Sequence, residues 1–205
     1  MSPSPQEIVA LVVAVGFAAG LNVYGTVATL GLLERFHALH LPANLHILQD
    51  WWVIAVAAAL FVLEMFADKI PYFDLVWNAL HTFIRVPVAA VLGYAASAHL
   101  GPQWQALGAV AASGVALAAH TGKTAVRVGV TPSPEPVSNI ALSTGEDVFA
   151  IFLTWFASQH PYLAASVAVV LVVLLILAIR WILRKLRMMW RRLMQGRDVS
   201  AAAEP

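Results

Sequence analysis

The sequence predicts an all-α fold: a polytopic membrane helical bundle of about six spans, built around two pseudo-repeated hairpins with polar amphipathic connections. Three observations predict it. The chain is 60% hydrophobic and only 11% charged, where a soluble domain carries about 25% charged residues. Mean hydropathy is +0.78. Apolar stretches of spanning length begin near Ile8, Trp52, Pro87, Trp104, Val137 and Tyr162, each close to the ~20 residues that cross a bilayer. Within 205 residues these leave no room for a separate soluble domain, so 1–195 reads as one transmembrane domain and 196–205 as a short disordered tail.

The first stretch, IVALVVAVGFAAGLNVYGTVATLGLL, is longer than one span needs and clusters Gly20, Asn22 and Gly25 in its middle. A tilted or broken helix is expected there. The opening MSPSPQE has no Lys or Arg, which argues against a cleaved signal peptide and for a retained first segment. The second span runs from Trp52 to about Ala67 and stops at DKIP, because Pro71 disfavours helical geometry at Ile70. FDLVWNALHTFIR follows, short and charged, and reads as an amphipathic interfacial helix ahead of a third span opening at Val86 and Pro87. The alternative folds that helix inward against a cavity. Span four, Trp104 to about Ala119, runs into the polar HTGKTAVRVGV and then TPSPEP, where Pro136 suits the first position of span five. Span six opens at Tyr162 and leads into RWILRKLRMMWRRLMQGR, which carries seven of the twelve basic residues.

Basic residues orient a membrane protein, because the cytoplasmic side keeps the Lys- and Arg-rich loops. Six spans place Lys69, Arg85, Lys123, Arg127 and the seven basic tail residues on one side and only Arg35 on the other. That reading puts both termini in the cytoplasm, with the chain in the inner (plasma) membrane. Its partners are the bilayer itself, anionic lipids along the basic tail and an unidentified small solute or ion, not nucleic acid. The opposite face gathers His37, His40, His46, His99 and His160 in short turns, ALHLP, SAHLGP and SQHPY. No pair has the spacing of a helical ligand set, so these read as interfacial residues rather than a metal site. The echoed turns also suggest a repeat, with WWVIAVAAALFVLEMF to SAHLGP matched by QWQALGAVAASGVALAAH to SQHPY.

The arrangement of GLNVYGTVATLGLLERF, the DKIP and HTFIRVP stretches and SPEPVSNIALSTGEDV resembles the bacterial membrane family known as domain of unknown function 4126, over nearly the whole chain up to the basic tail. The resemblance implies an integral membrane protein of bacteria and supplies no activity to carry over to any residue.

The polar residues inside apolar stretches carry the functional reading. Asp74, Asn78, His81 and Arg85 are spaced three or four apart and form one helical stripe. Glu64 and Asp68 lie a turn apart in span two, facing His120, Lys123 and Arg127 at the end of span four. A charge at the bilayer centre costs about 2.5–3.5 kcal/mol on insertion scales, so pairing is expected. In ALSTGEDVFAIF, Glu146 falls near mid-bilayer, and Asn139, Ser143 and Glu146 share one face that leads to it. Asp147 points about 100° away and needs a partner of its own. Asn22 and Tyr24, at the break in span one, are candidates to complete the site.

Catalytic motifs are absent: no His-Glu-x-x-His, no Gly-x-Ser-x-Gly, no phosphate-cradling loop and no cysteine. No cofactor site is expected. The sequence leaves three classes, in order of preference: a small ion- or proton-coupled carrier or channel with a buried carboxylate centre, a membrane scaffold or lipid-organising protein, and an intramembrane enzyme.

Overall fold

The computed structural model describes residues 4–67, 69–70, 73–130 and 136–201. Among them the chain is helical throughout: α1 (Pro5–Leu21), α2 (Val23–Arg35), α3 (Trp51–Ala67), α4 (Phe73–Ala96), α5 (Pro102–Val130), α6 (Pro136–Gln159) and α7 (Pro161–Ala201), with 3-10 turns at Ala43–Gln49 and Ala98–Leu100. Among the described residues three stretches are long and apolar enough to cross a membrane, Val76–Ala96, Ile140–Gln159 and Pro161–Lys185. A fourth arises if Ala43–Gln49 and Trp51–Ala67, bent by 67°, act as one span.

Ser4 starts α1 with a capping box: its hydroxyl accepts from the Glu7 N–H, and the Glu7 carboxylate accepts from the Ser4 N–H. These bonds hold the Glu7 carboxyl below its ordinary pKa. Close packing then fixes where α1 goes. Gly16 lies against Ala112 and Gly20 against Ala116, so α1 runs parallel to α5. A Cβ on Gly16 would sit 2.9 Å from the Ala112 carbonyl oxygen, which is why small residues line this seam. Arg85 meets His120 while Gly93 abuts Gly108, so α4 is antiparallel to α5.

The break expected near Gly20–Gly25 falls at Asn22, whose backbone is extended (φ −148°, ψ 102°). It does more than bend a span. Asn22 meets Asp147 and Thr26 meets Thr154, so α2 runs parallel to α6 and opposite to α1. Gly25 faces Phe61 and Gly31 faces Ile54, so α3 reverses again. Ser4 and Glu7 therefore line one cavity together with His40, His99 and Pro161. This differs from the single tilted or broken span expected of the first segment: α1 begins at the histidine end, and α7 leaves that end towards the basic segment. The basic asymmetry could not reveal this, because the first 34 residues contain no Lys or Arg.

The amphipathic segment is corrected too. Residues 73–85 are neither an interfacial helix nor a separate element, but the first half of α4, which continues through Pro87 to Ala96. Likewise the polar HTGKTAVRVGV is the last part of α5. Arg85 and Lys123 are consequently inside the bundle and not among its peripheral basic residues.

Two apolar clusters flank α1. One joins Ile8, Val12, Val15 and Ala19 to α4, α5 and Leu41, Leu45 and Leu48. The other joins Ala14, Phe17 and Ala18 to Ala150, Leu153 and Ala157 of α6 and Ala164 and Ala168 of α7. Helix α1 is thus packed on both faces, with eleven buried residues, and is exposed only in its first turns, at Pro5, Gln6 and Val9. By contrast α7 shows Val169, Val170, Val173 and Leu174 to its surroundings, as a lipid-facing helix should.

Candidate functional site: a buried charge centre at a chain reversal

Where the chain leaves α1 at Asn22, the last carbonyls of the helix lose their partners and the negative end of the helix dipole faces the bundle interior. Two cations answer it. The Arg85 guanidinium donates to the Gly20 carbonyl at 3.3 Å, and the Lys123 ammonium to the Leu21 carbonyl at 3.2 Å. On the other side of the reversal the Asn22 side-chain oxygen accepts from the Gly25 N–H (2.8 Å) and so caps α2. Its amide donates to the Asp147 carboxylate, also at 2.8 Å. Cations gather at the negative end of α1 and a carboxylate at the positive end of α2, as the dipoles require.

The cations are balanced by carboxylates from other helices. Arg85 forms an ion pair with Glu64, both with side chains 0% exposed. Lys123 lies 3.8 Å from Glu64 and 3.6 Å from Glu146, bridging α3 and α6. Glu64 and Lys123, expected to face each other across spans two and four, do so, and Lys123 also reaches Glu146. The result is a row, Arg85–Glu64–Lys123–Glu146, whose end members lie on α4 and α6, helices with stretches long and apolar enough to cross a membrane. Arg85 is roughly 14 Å from Val76 and 16 Å from Ala96 along α4, close to the middle of that stretch.

His120 ties the row to α4. Arg85 Nη1 lies 2.8 Å from His120 Nδ1. A guanidinium can only donate, so Nδ1 is the acceptor and the ring proton is on Nε2. Nε2 is 3.0 Å from the Asn78 carbonyl and 2.8 Å from the Thr82 hydroxyl, which take that proton. His81 forms a second arm: its Nδ1 contacts the Trp77 carbonyl at 2.8 Å and its Nε2 the Tyr24 hydroxyl at 3.1 Å. A ring nitrogen beside a carbonyl must donate, so Nε2 accepts from Tyr24. The stripe on α4 is thus turned inward, with Asn78, His81 and Arg85 all buried.

The structure brings together Asn22, Tyr24, Glu64, His81, Arg85, His120, Lys123, Glu146 and Asp147 from the residues the sequence singled out. Ser143 is buried beside them on the face that leads to Glu146. Asp68 and the side chains of Asp74, Arg127 and Asn139 lie outside the described residues. Sequence reasoning passed over Asn78 as a bonding partner, together with Thr82, Thr26 and Thr154. Thr26 donates to the Asn22 carbonyl at 2.9 Å, and Thr154 extends that line. A hydroxyl three or four positions from a polar residue was the available signal. The Gly20 and Leu21 carbonyls had none, since they belong to the backbone. Among the described residues no three His, Asp or Glu side chains converge as a metal site.

This arrangement lies within a match to the family described as a domain of unknown function, DUF4126, over residues 9–181. The chain belongs to that family. No curated protein and no solved structure matches it. All of the charge centre falls inside the matched residues.

Proposed function

We propose that this DUF4126 member is a small proton- or ion-coupled membrane carrier or channel whose working centre is the Arg85–Glu64–Lys123–Glu146 row. The observation that carries the reading is the reversal at Asn22, which presents two helix ends to a buried cluster of charges. Discontinuous helices whose ends meet polar groups near the membrane midplane are how many transporters build ion sites. A scaffold needs satisfied ion pairs but no chain reversal at that depth. In this reading α3 to α7 cross the membrane, α1 and α2 form a re-entrant pair entered from the histidine end, and the basic end faces the cytoplasm of a plasma membrane. Helices α4 and α6, both 24 residues and ending at the same face, are the paired members of the two hairpins.

Glu146 is the gate to the row. Its side chain is 12% exposed, whereas Glu64 and Lys123 are fully enclosed. A proton arriving at Glu146 releases Lys123 towards Glu64 and the α1 carbonyls. Proteoliposomes holding an internal pH dye test this: wild type dissipates an imposed proton gradient, and Glu146→Gln, which keeps the shape and loses the titratable proton, slows it at least tenfold with unchanged melting. Full flux in the variant, or no flux in wild type under any ion gradient, defeats the proposal. Orientation is tested separately in a chain without native cysteine. Cysteines at Gln6 and Gln103 should label from one side of the membrane and one at Arg187 from the other. Labelling of Gln6 together with Arg187 would return the first segment to a simple crossing.

A further inference from the structure

Between the histidine end and the charge centre lies a cavity of about 580 Å³. Its walls are apolar, including Val12 of α1, Leu30 of α2 and Leu92 of α4, and its floor is Gly16, Gly93 and Ala112. From Glu7 to Gly16 it runs about 14 Å along α1. Below the floor the fully enclosed Ala19, Ala89 and Ala116 separate it from Arg85 and Lys123, so it is distinct from the charge row.

The shape and the rim specify what fills it. At the floor Gly16 and Gly93 each press against α5, and a cavity of about 580 Å³ that runs about 14 Å along α1 has room for one hydrocarbon chain and not for two. Polar groups also line it, and they carry both characters: the Glu7 carboxylate and the His40 and His99 imidazoles. We propose that this cavity binds a single-chain zwitterionic amphiphile, a lysophospholipid, with its acyl chain along α1 and its head between Glu7 and the two histidines. The cationic end of the head meets Glu7, and the phosphate accepts from the imidazole N–H groups. Glu7 suits this role because its capping bonds keep it ionised. The inference stands apart from proton coupling, since neither the walls nor the rim includes a member of the charge row.

The test uses the full chain in lipid nanodiscs and a lysophosphatidylcholine carrying a photoreactive diazirine on its acyl chain. Saturable labelling is expected on residues 8–16 and 92–96, displaced by excess unlabelled lysophosphatidylcholine, and Leu30→Trp, which fills the cavity, should reduce it at least tenfold. Glu7→Gln retains the capping box, because Gln serves there as well, and should weaken lysophosphatidylcholine about tenfold while sparing a fatty acid of equal length. Unsaturable labelling spread along the outward face of α7 would mean ordinary boundary lipid and overturn the site. Equal displacement of the probe from wild type by fatty acid would overturn the head-group assignment. If Leu30→Trp does not fold, the labelling map of the wild type still decides. Proton flux is measured independently, so the carrier can fail while the site holds.

Discussion

The seven histidines divide the molecule into two regions that follow opposite rules. Five, His37, His40, His46, His99 and His160, sit at one end, exposed, in turns that look alike in sequence. The other two, His81 and His120, sit singly on α4 and α5 and are almost fully buried. The conspicuous group makes few bonds: His46 lies 2.9 Å from the Leu41 carbonyl and 3.5 Å from Glu34. Each inconspicuous one is bonded through both ring nitrogens. Burial forces partnership, because an unsatisfied polar group in low dielectric costs several times what a solvated one does. A site inside a membrane is therefore marked by depth and by partners on other helices, and clustering along the chain is a poor guide.

The largest way to break that contrast is to remove one member of the central ion pair. Arg85→Met leaves the Glu64 carboxylate in the bundle interior with only Lys123, 3.8 Å away, beside it, and breaking a buried pair costs about 3–5 kcal/mol. Loss of most folded protein in mild detergent, or a fall in melting temperature of roughly 10 °C, is expected. Replacing both partners, Arg85→Met with Glu64→Met, should recover much of the loss, since an apolar pair of similar volume avoids the desolvation penalty. Arg85→Met melting like wild type would show that the pair is solvated and that the centre is open to water.

A smaller effect separates the two jobs of Asn22. Asn22→Ala removes the cap of α2, worth about 1 kcal/mol, and the donor to Asp147, a charge-assisted bond of about 1.5–3 kcal/mol. Asn22→Ser keeps a capping oxygen and loses the reach to Asp147. Ser should therefore recover about 1 kcal/mol of the Ala deficit by thermal melting. Equal deficits would mean that the cap contributes nothing and the Asp147 bond alone holds the reversal.

Much of this centre was legible before any coordinates. The three-and-four spacing of Asn78, His81 and Arg85 gave the stripe, insertion cost gave the need for pairing, and the Gly20, Asn22 and Gly25 cluster gave the break. Three things were not. Hydropathy is the same for a helix that bends onward and one that turns back, so the direction of α2 had no sequence signal; only its partners on α6 decide it. Pro87 read as the start of a span, yet a proline within a membrane helix is tolerated when neighbouring helices compensate for its missing N–H. That continuity carried the polar stripe from the supposed interface into the core. Finally, the groups that hold Arg85 and Lys123 include backbone carbonyls, which residue type cannot reveal. Local spacing is written in the sequence, whereas the match between a helix end and a distant cation exists only once the chain has folded.

The smallest expected effect comes from the opposite end. Replacing His37, His99 and His160 together by Gln removes three exposed imidazoles that have no hydrogen bond or ion pair of their side chains among the described residues. Surface substitutions of this kind stay within about 0.5 kcal/mol each, so the melting temperature should move by no more than a few degrees, and proton flux should not change. Zinc sharpens the comparison. A metal bound by these side chains would stabilise wild type by mass action, and the triple variant would lose that gain. We expect equal melting with and without zinc in both proteins. His120→Gln, a single change, should by contrast cost more than the three together, because it leaves Arg85 Nη1, the Asn78 carbonyl and the Thr82 hydroxyl to find new partners in a closed interior. If three surface histidines outweigh the one buried one, or zinc raises the melting temperature of wild type alone, the histidine end is an organised site after all.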